Sequence, residues 1–173
     1  MNDVAPPVAP PVTAPGGRRL VQADLVGTAV FVVVIAVGVP LRDERWAQVL
    51  VGVVSMVLFV IGAVGCLWAY VNALERSRVD EIGVANLYLL TGPTAPPSVK
   101  RTLTLSLVAQ VVVALVGAIV GAVGLSGNQV NAMAFGILVP MFGLAINALW
   151  SVRHGSFGPR VDRSVQPSNR KIG

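Results

Sequence analysis

The sequence predicts an all-α, polytopic integral membrane protein with four transmembrane helices. Three observations predict it. Only 12% of the 173 residues are charged and 54% are hydrophobic, with a mean hydropathy of +0.75, whereas a soluble domain carries about 25% charged residues. Apolar runs of about 18 residues or more recur along the chain, each long enough to cross a bilayer as a helix. The 13 Lys/Arg residues are also unevenly placed. With the N-terminus inside, only Arg42 and Arg45 fall outside, an imbalance that sets both termini on the cytoplasmic side.

Residues 1–19 form a Pro/Ala-rich tail, expected to be disordered because Pro fixes φ and removes a backbone donor. It lacks the charged and apolar regions of a signal peptide. The membrane domain occupies residues 20–152, with spans at about 20–40, 46–72, 102–125 and 130–151, and a basic tail follows at 153–173. Gly38-Val39-Pro40 ends the first span, and a short charged link makes spans one and two antiparallel neighbours. Trp46 opens the second span and Trp68 with Tyr70 closes it, as an interfacial aromatic belt does. Between spans two and three, Ser77 lies three residues before Asp80, a helix-start pattern. The apolar run Ile82–Leu90 is half the length of a span, so a short interfacial helix is expected over about Asp80 to Leu90. The uncharged turn Ser126–Gln129 joins spans three and four as a hairpin.

Without a hydrophobic drive in lipid, helices associate through close packing and interhelical hydrogen bonds, which favour small and polar residues at contacts. Span three carries such a seam in Ser106, Gln110, Ala114, Gly117, Gly121 and Gly124. Span four carries one in Ala132, Gly136, Pro140, Gly143 and Asn147, repeating near 3.5 residues. Level for level, Gly143 faces Gln110, and Gln110 and Asn147 are expected to share a polar contact inside the hairpin. Span two has its own stripe in Gly52, Ser55, Gly62, Cys66, Ala69 and Ala73. Pro140 leaves the carbonyl of Gly136 without its helical donor and predicts a kink.

Asp24 is the acid within a span. It lies near the start of span one, where it complements the helix N-terminus and reaches water or Arg19; a proton-coupling carboxylate is the alternative. Arg153, His154 and Arg160 follow span four at headgroup level and are candidate contacts for anionic lipid or a partner. The chemistry of an enzyme is not indicated. The chain has one histidine and one cysteine, without metal-ligand spacing, a phosphate loop or a nucleophile beside a base. No catalytic, cofactor-binding or metal-binding residue is assigned and no cofactor is expected. The positive charge reads as membrane topology, not nucleic-acid binding.

The stretches EIGVANLYLLTGP (81–93) and VPMFGLAINALWSVRHGSFGPR (139–160), with the Ala/Pro-rich tail, resemble small four-span membrane proteins of mycobacteria and related actinobacteria of uncharacterised activity. The resemblance implies a plasma-membrane location and lends no activity. The expected function is therefore that of a non-enzymatic membrane protein that binds a membrane-protein partner or a second copy, or is accessory to an envelope complex. A small oligomeric transporter or channel lined by Asp24, Gln110 and Asn147, and an anionic-lipid-binding protein, are the alternatives.

Overall fold

The computed structural model describes residues 15–77, 80–123 and 131–159. The Pro-rich residues 1–14, Gly124, the turn at 126–129, Arg160 and the rest of the basic tail lie outside the described residues. Four helices are long and apolar enough to cross a membrane. They are α1 (Pro15–Gly38), α2 (Arg45–Arg76), α4 (Pro97–Ala122) and a composite fourth span, a 3-10 segment (Ala132–Leu138) leading into α5 (Pro140–His154). A five-residue helix, α3 (Val84–Tyr88), and two-residue strands β1 (Asp80–Glu81) and β2 (Gly158–Pro159) complete the described elements.

Several helices outrun their expected bounds. In lipid the backbone can satisfy its polar groups only internally, so helix continues until Pro, Gly or water intervenes. Accordingly α1 reaches back to Pro15, and α4 to Pro97, where the missing N–H costs nothing in the first turn. α2 spans 32 residues, about 48 Å at 1.5 Å per residue, more than a hydrocarbon core of about 30 Å. Trp46, Trp68 and Tyr70 project from it, each at least half exposed. From Trp46 to Trp68 is about 33 Å along the axis, so the two aromatic levels frame the hydrocarbon layer. Ser77 does not start the interfacial helix. It ends α2, its amide bonding the carbonyl of Ala73 at 2.8 Å, and α3 is shorter than the segment expected at 80–90.

The fourth span is the centre of the bundle. Half of its apolar stretch is buried, against 22–28% for the other three. Its most extensive partner is α2. Gly62 allows that approach: a Cβ there would lie 2.6 Å from the backbone nitrogen of Phe142. Gly27 on α1 meets the same residue from the other side, where a Cβ would sit 2.5 Å from the Phe142 ring. The main core gathers Phe31, Ile35, Val51, Leu58, Leu103, Met133, Phe142 and Trp150 from all four spans.

Pro140 acts differently from expectation. The carbonyl of Gly136, deprived of its α-helical donor, accepts the amide of Val139 at 3.0 Å. The chain before Pro140 is wound as 3-10 helix, whose side chains eclipse every third residue. Met133, Gly136 and Val139 are accordingly its buried face. Ala132 and Pro140, members of the seam expected at a 3.5-residue repeat, are half-buried.

Both ends of the described chain lie together, since His154 packs on Gly16 and Trp150 on Gly17. At this terminal end, residues 80–96 fold back over spans two and four as a platform. Asn147 Nδ2 donates to the carbonyl of Tyr88 at 3.0 Å, and the Ser156 amide to that of Thr94 at 3.1 Å. Arg76 bonds the Val152 carbonyl at 2.5 Å and lies 5.0 Å above the Phe157 ring, and β1 pairs antiparallel with β2. Leu90 adopts φ 53°, a left-handed conformation costing about 1–2 kcal/mol for a side chain with Cβ. It is fully buried, and burying a leucine is worth about 1.5–3 kcal/mol, enough to offset the strain.

Candidate functional site: a buried polar ring between spans one and three

Asp24, Thr28, Ser106 and Gln110 meet in the interior of the bundle. Asp24 and Thr28 are one helical turn apart and so share a face of α1, the face that also buries Gly27, Phe31, Val34 and Ile35. Ser106 and Gln110 have the same spacing on α4, whose buried residues are Leu103, Ser106, Gln110, Ala114, Gly117 and Gly121. Where these two stripes cross, four polar side chains face one another.

The four side chains form a ring of contacts that is open between Ser106 and Asp24. Gln110 Nε2 donates to Thr28 Oγ1 at 2.6 Å and, at the longer distance of 3.4 Å, to Asp24 Oδ1. Thr28 Oγ1 and Ser106 Oγ lie 2.7 Å apart, and either can be the donor. Asp24 is 1% exposed and Gln110 fully buried. Two acceptors of the ring, Asp24 Oδ2 and Gln110 Oε1, have no hydrogen-bond partner. Gln110 Oε1 is turned toward Gly143, whose absent side chain makes room: a Cβ there would lie 2.6 Å from it.

This geometry corrects two expectations. Asp24 does not reach water or Arg19: it is 1% exposed and its Oδ1 accepts from Gln110 of α4. Gln110 and Asn147 do not share a contact. Gly143 is level with Gln110 as expected, but Gln110 extends its amide to span one, while Asn147 caps the Tyr88 carbonyl of the platform. The span-three seam therefore serves two neighbours. Ser106, Gln110 and Gly117 face α1, with Ile35 beside Gly117. Gly121 faces the 3-10 segment, where a Cβ would lie 2.5 Å from Asn131 Oδ1. Gly136 receives the Phe31 ring. Thr28 was not singled out in the sequence; its signal is its place one turn after the intramembrane acid.

The remaining candidates are at the terminal end. Arg153 is exposed and His154 half-buried, its ring centroid 5.7 Å from that of Trp150. His154 Nδ1 and Trp150 Nε1 are buried without partners. Burial pushes the Tyr88 phenol above its ordinary range, with Cys66 and Tyr70 adding to the shift. Among the described residues no group of three or more His, Cys, Asp or Glu could hold a metal ion. No known protein family, curated protein or solved structure matches the chain.

Proposed function

We propose that this chain is a non-enzymatic, multi-pass protein of the plasma membrane, with both termini cytoplasmic, that holds a protein partner against its terminal end. The observation that carries the reading is the platform. The connection between spans two and three is not a loose loop. It is bonded to α5 through Asn147 and Ser151, and to the residues that follow α5 through Ser156, and presents Val84 and Leu89 outward, 74% and 51% exposed. A chain that orders a connection in this way, and leaves apolar side chains on its outer surface, has the makings of a rigid docking face. A photo-crosslinking residue at Val84 or Leu89, activated in native membranes, is expected to give a discrete protein adduct, to another protein or to a second copy. Adducts with lipid alone would instead favour a headgroup-facing role for this end, with Arg153 and His154 beside it.

A transport role is the second reading, favoured by the burial of Asp24 within the spans. Intramembrane carboxylates that face a bundle interior mark ion and proton paths more often than they mark packing. Asp24→Asn is then expected to abolish a flux measured in vesicles while the protein still inserts, and an unchanged flux would remove the reading.

A further inference from the structure

We propose that the Asp24 carboxylate binds and releases a proton inside the membrane, with Thr28, Ser106 and Gln110 as the polar frame around it. The inference rests on the ring itself and on neither reading above, since a buried proton site can serve transport or simply govern how spans one and three pack.

The first argument is the absence of a counter-charge. No described residue forms an ion pair with Asp24. The charged groups on the elements packed against α1 sit at the bundle ends. They are Glu75 and Arg76 with Arg45 on α2, Lys100 and Arg101 on α4, and Arg153 with His154 on α5, besides Arg18 and Arg19 on α1 itself. An ionised carboxylate in such a place keeps its charge only at a large desolvation cost, and the least demanding remedy is a proton.

The second argument is the orphaned acceptors. An ionised carboxylate only accepts hydrogen bonds, and here Oδ2 has no donor while Gln110 Oε1, in the same ring, has none either. A proton on Oδ2 turns one of these two buried acceptors into a donor. One carboxylate matches a single positive charge, and among the described residues no acidic cluster could hold a multivalent ion. The Gln110 amide already directs a donor at Asp24 Oδ1, which disfavours a metal cation there and leaves the proton.

The third argument is that the frame can adjust around either charge state. Either hydroxyl of the Thr28–Ser106 pair can donate, and Gln110 Nε2, wedged against Gly143, donates to Thr28 Oγ1 and Asp24 Oδ1 whether or not Oδ2 carries a proton. In the step itself an O–H bond forms on the carboxylate as an O–H bond of a hydronium ion breaks and leaves water, and release to water reverses it.

The test uses the full chain in lipid vesicles and infrared difference spectra recorded on stepping the pH in sodium-free buffer. A protonated-carboxyl band is expected on acidification, absent in Asp24→Asn. Gln110→Leu removes the donor that favours the ionised form and is expected to retain the proton about tenfold more tightly, the effect of losing one charge-assisted hydrogen bond; Thr28→Val removes the acceptor that positions that amide and is expected to shift the band in the same direction by less. The lack of any Asp24-dependent band from mildly acid to mildly alkaline pH overturns the proposal. So does a band that responds to added sodium rather than to pH. Should Asp24→Asn fail to fold, an unmoved band in both frame variants overturns it equally.

Discussion

At Gly62 the backbone of α2 lies against the backbone of α5. A methyl group there would meet the nitrogen and Cα of Phe142 at 2.6 and 2.8 Å, and backbone cannot swing aside as a side chain can. Gly62→Ala is therefore expected to push the two helices apart and cost about 1–3 kcal/mol, read as a lower Tm in detergent. Gly52→Ala is the matched control. It has nothing within 4 Å, and the better helix former should leave stability unchanged or raise it by up to about 1 kcal/mol. Both glycines belong to one small-residue stripe in the sequence, and the stripe does not distinguish them. Spacing specifies a helix face, but which part of that face meets another helix depends on where the crossing falls. The same reasoning explains Thr28. A threonine in an apolar span is ordinary, and only the arrival of Ser106 and Gln110 from α4 makes it a ring member. By contrast, the buried set of α4 follows the stripe in the sequence closely, because Ser, Gln, Ala and Gly on one face are flanked by Val and Leu on every other.

Among the elements, the 3-10 segment owes its shape to both of its ends. At its start the Asn131 side chain accepts the Met133 amide at 3.0 Å and donates to the Ala118 carbonyl of α4 at 2.9 Å. At its end Pro140 withholds a donor and Val139 supplies the tighter bond. The α4 side of the first contact is Gly121, where any Cβ would displace Asn131 Oδ1. Asn131→Ala is expected to cost about 1 kcal/mol as a lost cap. Gly121→Ala should cost at least as much, since its Cβ would expel that same cap and also meet Met133 Cβ at 2.7 Å. Since the two changes remove one interaction, the double variant is expected to fall short of the sum by about 0.5–1 kcal/mol in a double-mutant cycle; strict additivity would show that Gly121 acts on something else. The fourth span was legible as a span and its Pro140 as an irregularity. Its winding was not, because a stripe of small residues at 132, 136, 140 and 143 fits a 3.5-residue period while the buried positions 133, 136 and 139 fit three. Hydrophobicity alone gives both faces similar weight, and the hydrogen-bond shortage at Pro140 decides between them.

Across the whole molecule, the four-span architecture follows from length and apolarity, and the helix at its centre does not. Span three carries the most conspicuous seam in the sequence, yet span four, with half its apolar stretch buried, is the helix the others surround, because Gly27 of span one and Gly62 of span two make room for Phe142, and its own Gly143 makes room for Gln110 of span three. Orientation is the remaining whole-molecule property, and it rests on charge. The far-end link holds Arg42 and Arg45, whereas Arg18, Arg19, Arg76, Lys100, Arg101 and Arg153 lie at the terminal end among the described residues, and on this positive-inside bias rests the proposal that the platform, and Asp24's nearer aqueous face, are cytoplasmic. A cysteine scan tests this directly. Cys66 is the one native thiol; half-buried, it packs its Sγ 3.6 Å from Met141 Sδ, so it offers little background. Asp43 and Pro93 are exposed at opposite ends. With Asp43→Cys, a membrane-impermeant thiol reagent is expected to label intact cells; with Pro93→Cys, labelling should require permeabilisation. The reverse pattern would turn the molecule over, put the platform outside the cell, and send the search for its partner to the envelope instead of the cytoplasm.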